Sequence, residues 1–338
     1  MAPHHRQVGI KDVARQAGVS VGTVSNVLNR PELVSEAKRE RVEQAITQLG
    51  YVRNAAARQL KEGRSRTAAA LVLDMGNPFY SQLVHGMETE ADNRGLSVIT
   101  GSSRGLPERE KNYLAMFEEQ RARGILLASA GQTGDAVAGV RERGTPVVRV
   151  EDDSDGTGSW VAVDHRHGGR IAVEHLVSLG RRRIAVVMAH PELRQVQERL
   201  DGAAEGVAGS SARIEILDAG DLDVIAGRRL GEKLAESDCA TRPDAIFCVN
   251  DLLAVGVMQA LVLEGDIAIP EDIALIGYDD IAFSRATVVP LSTIAQPSEQ
   301  MGRAAVELLE EEIAGGRSVK ARGIRFAPRL VVRGSSSR

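Results

Sequence analysis

From Ile10 to Asn29 the chain reads IKDVARQAGVSVGTVSNVLN, and this stretch decides what the first domain is. Ile10, Val13, Ala14 and Ala17 recur at i, i+3, i+4 and i+7, one apolar stripe along a two-turn helix. Gly18 ends that helix. Ser20 is placed to cap the next one, its hydroxyl accepting from a backbone N–H two or three residues on. Along this second helix, Val21 to Leu28, the side chains of Val24, Val27 and Leu28 turn inward, leaving Val21, Gly22, Ser25, Asn26 and Asn29 outside. Two glycines, several valines and a cluster of Ser, Thr and Asn are weak helix formers, so helix stability alone does not explain the composition. Two short helices joined by a tight glycine-containing turn form a helix-turn-helix, whose second helix lies in the DNA major groove. Small outward residues let that backbone approach base edges. The hydroxyls of Ser20, Thr23 and Ser25 and the amides of Asn26 and Asn29 can bond phosphates and bases. Val21 and Gly22 offer methyl contact and close approach, which leaves Asn26 to carry the hydrogen-bond readout.

A third helix is expected from Ser35, as N-cap, to Gly50, with Val42, Ala45, Ile46 and Leu49 as its buried stripe. Beyond it, Asn54 to Gly63 reads NAAARQLKEG, a short helix signal with its own cap and stop. A segment this short is not stably helical alone in water, so it should order only with a partner, either DNA or a second copy of itself. Leu60 within it reads two ways: a leucine packed on the body, or an apolar wedge between minor-groove base steps.

The net charge of −4 hides an asymmetry. Residues 1–64 hold eleven Lys and Arg against six Asp and Glu, a net +5, and the remainder carries −9. A basic head on an acidic body is the distribution of a protein whose head alone meets a polyanion. A length of 338 residues suits two or three domains. Apolar runs such as Ala68 to Leu73 fall far short of a membrane span, and MAPHHRQVG lacks the apolar core of a secretory signal. A cytoplasmic location is expected, with Cys239 and Cys248 reduced and buried.

From Thr67 onward, short β-branched runs alternate with amphipathic helical stretches: AAALVL, LSVIT, GILLAS, PVVRV, WVAV, RIAVVM, RIEIL, DAIFCV and IALIGY. This predicts a doubly wound α/β body with parallel sheets, in which ligands bind beyond the carboxyl ends of the strands. Asn77-Pro78-Phe79-Tyr80, Asn250-Asp251 and Asp279-Asp280 stand at such ends, and Arg199 follows RIAVVM. Together they offer an aromatic face, an amide, carboxylates and a planar cationic fork, suited to fixing the hydroxyls of a small polar molecule. Asp251 and Asp280 equally read as caps of the helices that follow.

IKDVARQAGVSVGTVSNVLN and VSEAKRERVEQAITQLGYVRNAAARQLKEG together resemble the head and hinge of the LacI/GalR family of bacterial transcription regulators. The likeness continues through NPFYSQLVHGMETEADNRG, VAVDHRHGGRIAVEHLVSLGRRRIAVV, DAIFCVNDLLAVGVMQAL and IPEDIALIGYDDIAFSRATVVPLSTIAQPSEQMGRAAVELL, so it covers nearly the whole chain. The resemblance implies a helix-turn-helix head over residues 1–52, a hinge helix and linker over 53–66, and an effector-binding and dimerisation body over 67–338 similar to periplasmic binding proteins. The body's lobes are expected at about 67–163 with 295–323 and about 164–294 with 324–338, with crossings near Val163 to Asp164, Thr293 to Ala295, and Ile324. By the same resemblance Arg199, Asn250 and Asp279 match effector contacts, with Phe79, Tyr80 and Asp164 as wall residues. Leu60 becomes the minor-groove wedge, and Arg58 and Lys61 meet phosphate. Implied partners are a pseudo-palindromic double-stranded operator, a sugar or sugar-derived effector and a second copy of the chain. The closing RLVVRGSSSR carries no heptad repeat, so a dimer is preferred to a tetramer. Some positions depart from the family pattern. Ala189-His190 replaces Gly-Pro, Ala203 stands for an aromatic, and Gly9 occupies the usual capping position of the first helix. The loop around Arg194 is therefore expected to differ.

Enzymatic readings find little support. Gly101-Ser-Ser103-Arg-Gly105 matches the spacing of a hydrolase nucleophile elbow, but Pro107 and Glu108 begin a later helix, so Ser103 lies in an extended loop. His165 and His167, two apart at a helix start, do not share a face, and a surface or capping role is favoured over a metal. No phosphate-binding glycine loop is present. The expectation is a non-enzymatic DNA-binding regulator without cofactor or metal. The alternative is a carbohydrate-binding module whose head makes protein contacts.

Overall fold

The computed structural model describes residues 8–52, 65–131, 133–151, 157–316 and 320–337, and the chain divides into two compact units at residue 64. In the first unit, α1 (Ile10–Ala17), α2 (Val21–Asn29) and α3 (Glu36–Leu49) pack around Val13, Ala14, Ala17, Val24, Val27, Val42 and Ala45, with a 3-10 turn at Pro31–Leu33. Ile46 and Leu49 pack at the rim of this core. Gly18 and Gly50 close α1 and α3 at φ near +60°, a left-handed conformation that favours glycine. Ser20 caps α2 as the sequence predicts, accepting from the Thr23 N–H at 3.0 Å. Ser35 holds the cap position of α3 but its side chain makes no capping bond. At Gly9, Asp12 supplies the other half of a capping box by accepting from the Gly9 N–H at 3.0 Å.

The second unit carries two six-stranded sheets. Sheet 1 runs β2 (Ser97–Ser102), β1 (Thr67–Val72), β3 (Ile125–Ala128), β4 (Val147–Val150), β5 (Trp160–Val163), β11 (Gly323–Phe326), and every pairing is parallel. Sheet 2 runs β7 (Arg213–Asp218), β6 (Arg183–Met188), β8 (Ala245–Cys248), β9 (Ala274–Asp279), β10 (Ser292–Ala295), β12 (Arg329–Val331), with only the β10–β12 pairing antiparallel. Strand order reverses between β1 and β3 in one sheet and between β6 and β8 in the other, which opens a crevice at the carboxyl ends.

Eight helices connect the strands among the described residues: α4 (Pro78–Asn93), α5 (Pro107–Glu119), α6 (Gly134–Glu142), α7 (His165–Ser178), α8 (Arg194–Gly206), α9 (Val224–Glu236), α10 (Asp251–Leu263) and α11 (Ser298–Gly315). The chain crosses between lobes three times, after β5, between β10 and α11, and between Phe326 of β11 and Arg329 of β12. The last crossing lies a few residues past Ile324, which itself pairs with Val161 in sheet 1. Three helix pairs, α4 with α11, α7 with α8 and α9 with α10, meet through glycines. A Cβ on Gly86 or Gly302, on Gly169 or Gly202, or on Gly227 or Gly256 would strike a backbone carbonyl oxygen of the partner helix. Cys248 is buried in the core, whereas Cys239 is exposed, contrary to expectation. No described helix is long and apolar enough to cross a membrane.

Candidate nucleic-acid interface and ligand cleft

On the head, the outer face of α2 presents Ser20, Val21, Gly22, Asn26 and Asn29 to solvent, with Thr23 and Ser25 half-buried. The Ser20 and Thr23 hydroxyls lie 2.9 Å apart. Asn29 donates to the Ser25 carbonyl at 2.8 Å, so that amide is held to its own helix. Val21 is 41% exposed. A Cβ at Gly22 would meet only the Ser20 hydroxyl, at an ordinary 3.6 Å. Nothing inside the head demands a glycine there, and its small size matters only to something that approaches from outside. The surface is therefore small, polar and apolar by turns, which is what close backbone approach to base edges requires. Arg58, Leu60 and Lys61 lie outside the described residues.

In the body, Asn77 ends the loop after β1 and caps α4, its Oδ1 accepting from the Phe79 N–H at 2.9 Å. Phe79 and Tyr80 follow, both buried, with their rings edge to face at 5.0 Å. From the other lobe comes Arg199 of α8, also buried. It donates Nη1 to the Val249 carbonyl at 2.7 Å, and its Cζ lies 3.8 Å above the Tyr278 ring, a cation–π contact away from water. Asp279 ends β9 with its Oδ1 3.9 Å from the Arg199 Nη2. It accepts from Gln296 Nε2 at 2.7 Å and, across the lobes, from Asn77 Nδ2 at 3.2 Å. Three residues from separate parts of the sequence thus converge on one carboxylate.

The turn that aims Asp279 is strained. Asp279 and Asp280 adopt φ of 115° and 56°, a left-handed stretch costing about 1–3 kcal/mol per residue, which the surroundings must offset. Asp251 is the anchor. Fully buried at the first position of α10, it accepts from the Ile281 N–H at 3.0 Å, the Ser284 hydroxyl at 2.6 Å and the Thr293 hydroxyl at 2.6 Å. Asp280 pairs with Arg333 at 2.6 Å. Neither aspartate caps a helix, correcting that reading. Asn250 caps α10 instead, accepting from the Leu253 N–H and donating to the Leu222 carbonyl, both at 2.8 Å. Its amide is thereby engaged at both ends. Burial raises the Asp251 carboxyl to about 7, and burial likewise raises Asp279 to about 6 against the opposing pull of Arg199. Burial first, then Glu151 and Asp279, hold the Tyr80 phenol well above its usual range.

The remaining expected residues sit nearby or at the edge. Asp164 caps α7, accepting from the His167 N–H at 2.9 Å. Arg194 is exposed and pairs with Glu198 at 2.8 Å. Sequence reasoning placed Asn77 at a strand end but missed its contact with Asp279, and missed Gln296, Tyr278, Glu151 and the true place of His165. His165 is not a surface residue. It is 2% exposed, with Nδ1 3.1 Å from the Tyr278 hydroxyl and Nε2 3.2 Å from Glu151 of the other lobe. Its position at the start of α7, immediately after a strand end, was the available signal. No cluster of metal-ligating side chains occurs among the described residues. Ser103 is buried, its hydroxyl directed to the Val72 carbonyl at 3.4 Å, so it does not stand as a nucleophile.

Comparison with known proteins agrees with this architecture. Residues 9–54 match the family model of bacterial regulatory proteins, lacI family, and residues 173–336 match a periplasmic binding protein-like domain. The HTH-type transcriptional repressor PurR of Aliivibrio fischeri is 33% identical over 96% of this chain and 97% of its own length. The ribose operon repressor of Escherichia coli is 34% identical over 97% and 99%. Among solved structures, a lac repressor dimer bound to operator and an anti-inducer superposes with a TM-score of 0.82 at 27% identity, covering 98% of this chain and 99% of that one. A CelR–cellobiose complex superposes at 0.71 with 28% identity, covering 97% and 100%.

Proposed function

The chain belongs to the lacI family of bacterial regulatory proteins, and from that premise we propose that it is a transcriptional repressor gated by a small polyhydroxylated effector, most simply a sugar. The head reads the operator through Val21, Gly22 and Asn26, with Ser20, Thr23, Ser25 and Asn29 holding phosphate and backbone register. Arg58 and Lys61 add phosphate contacts, and Leu60 opens a central base step. A homodimer sets two such helices about 34–36 Å apart on a pseudo-palindromic site.

The observation that carries the effector reading is the Asp279 carboxylate. It is offered by one lobe, bonded to Asn77 of the other, and faced by the Arg199 fork and the Phe79–Tyr80 wall. A ligand that replaces the Asn77 contact changes how the lobes meet, and a coupling of about 1–3 kcal/mol alters operator affinity about 5- to 150-fold. Asp164 and Asn250 shape the wall from their capping positions. The relatives are repressors. The test is a genomic-fragment selection with purified protein, followed by thermal-shift screening of sugars, since a ligand that binds only the folded state raises Tm. Asp279→Ala should bind the selected operator like the wild type and lose the thermal shift with the active sugar. Recovery of no fragment at low salt would refute the repressor reading and leave a carbohydrate-binding module as the better description.

A further inference from the structure

Three buried polar atoms around this cleft have no hydrogen-bond partner among the described residues: Glu151 Oε1, His165 Nε2 and Gln296 Oε1. Each belongs to a side chain on a residue less than 8% exposed, and burying such atoms unpaired is costly. Their polarity can be assigned. Gln296 Nε2 donates to the Asp279 carboxylate, so its Oε1 is the unmatched acceptor. Arg199 Nε donates to His165 Nδ1 at 3.3 Å, and a guanidinium can only donate. The His165 ring proton is therefore on Nε2, where Glu151 Oε2 approaches to 3.2 Å but out of line. Two acceptors and one donor are left around the Arg199–Asp279 pair.

We infer that Glu151, His165 and Gln296 form an unassigned half of the effector site, a subsite for an uncharged hydroxyl-bearing edge that rejects anionic ligands. A hydroxyl both donates and accepts, so hydroxyls satisfy all three atoms at once. A phosphate or carboxylate oxygen satisfies only the His165 N–H and sets its charge against Glu151 and Asp279. An ammonium satisfies the two oxygens and leaves the histidine unmet. The cation beside these three atoms is not spare. Arg199 is committed to the Val249 carbonyl, the Tyr278 face and Asp279. After burial, its largest cause, Glu151 and Asp279 both add to the rise of the Tyr80 phenol.

This inference rests on the effector reading above, and the experiment separates the two. Titration calorimetry and thermal shift are run on the full-length protein with D-ribose, D-glucose, D-galactose and D-fructose, alongside their monophosphates, onic acids and amino counterparts. At least one neutral sugar should bind at least about 100-fold more tightly than its phosphate or acid. Glu151→Gln should narrow that ratio by about tenfold, because the like-charge penalty is gone, while operator binding persists. A phosphate, acid or amino sugar that binds as tightly as its neutral parent would overturn the subsite and leave the effector reading standing. The wild-type ratio decides this even if the variant folds poorly. If none of the compounds shifts Tm, the effector reading falls and takes the subsite with it.

Discussion

Gly22 illustrates how a single position can be explained from outside the fold. The head has room for a methyl group there, and alanine is favoured over glycine in a helix by about 1 kcal/mol. Gly22→Ala should therefore raise the stability of the head in denaturant melts, yet alter or weaken operator affinity in gel shifts. A stabilised head with unchanged affinity would show that nothing approaches that surface closely. A second residue-scale consequence concerns Asp251 and Asp279. Their carboxyls are raised in the folded protein to about 7 and about 6 from an ordinary 3.8, so between those values the folded state holds more protons than the unfolded one. The stability this contributes is fully present below pH 4 and is lost as pH rises through about 6 for Asp279 and about 7 for Asp251. Asp251→Asn removes one titration, and melts across pH 5 to 8 should show a shallower fall in Tm than the wild type. Arg199 and Asp279 were legible in the sequence because each follows a strand whose carboxyl end faces the crevice. Glu151, His165 and Gln296 were not, since their meaning depends on partners such as Tyr278, 113 residues from His165, which only the folded topology brings together.

At the scale of elements, the helix pairs seated glycine against carbonyl are the most sensitive joints. Gly202 of α8 packs on the Arg166 carbonyl of α7, and Gly169 of α7 on the Arg199 carbonyl of α8. The second contact lies directly behind the effector arginine. Gly202→Ala should cost about 2 kcal/mol by forcing the helices apart, and it should weaken effector binding more than operator binding. Thermal melts combined with calorimetry separate these effects. The nine strand runs identified from β-branched clusters all occur as strands, within a residue or two at the ends. The three strands not read as runs, β10, β11 and β12, are short and weakly marked. Ser292-Thr-Ile-Ala puts two polar residues before two apolar ones, all four buried, while Gly323-Ile-Arg-Phe and Arg329-Leu-Val place arginines on exposed sheet edges. Strands of three or four residues are too short for a period-2 pattern to stand out, and where both faces are covered, as in β10, there is none to read.

At the scale of the whole molecule, a basic head and an acidic body divide the electrostatic labour. Operator affinity should fall steeply with salt, because every neutralised phosphate releases counterions and adds about −0.9 to the log–log slope. Two heads gripping one site should give a slope of about −5 or steeper, measured by fluorescence anisotropy between 50 and 300 mM KCl. A slope near zero would contradict DNA contact by the head. The fold class was legible at this scale because strand–helix alternation and head composition are local signals, while the crossings between lobes, which depend on short edge strands, were placed only approximately.

The interleaved strand order also governs the molecule's birth on the ribosome. Sheet 1 waits for residues 323–326 and sheet 2 for residues 329–331, while Ser335 then locks Leu275 and Ser292 from the far end. Neither sheet gains its last edge strand much before the other. The three-helix head emerges and can fold some 280 codons earlier, so a late nonsense mutation would yield a reader of DNA tethered to two unfinished sheets.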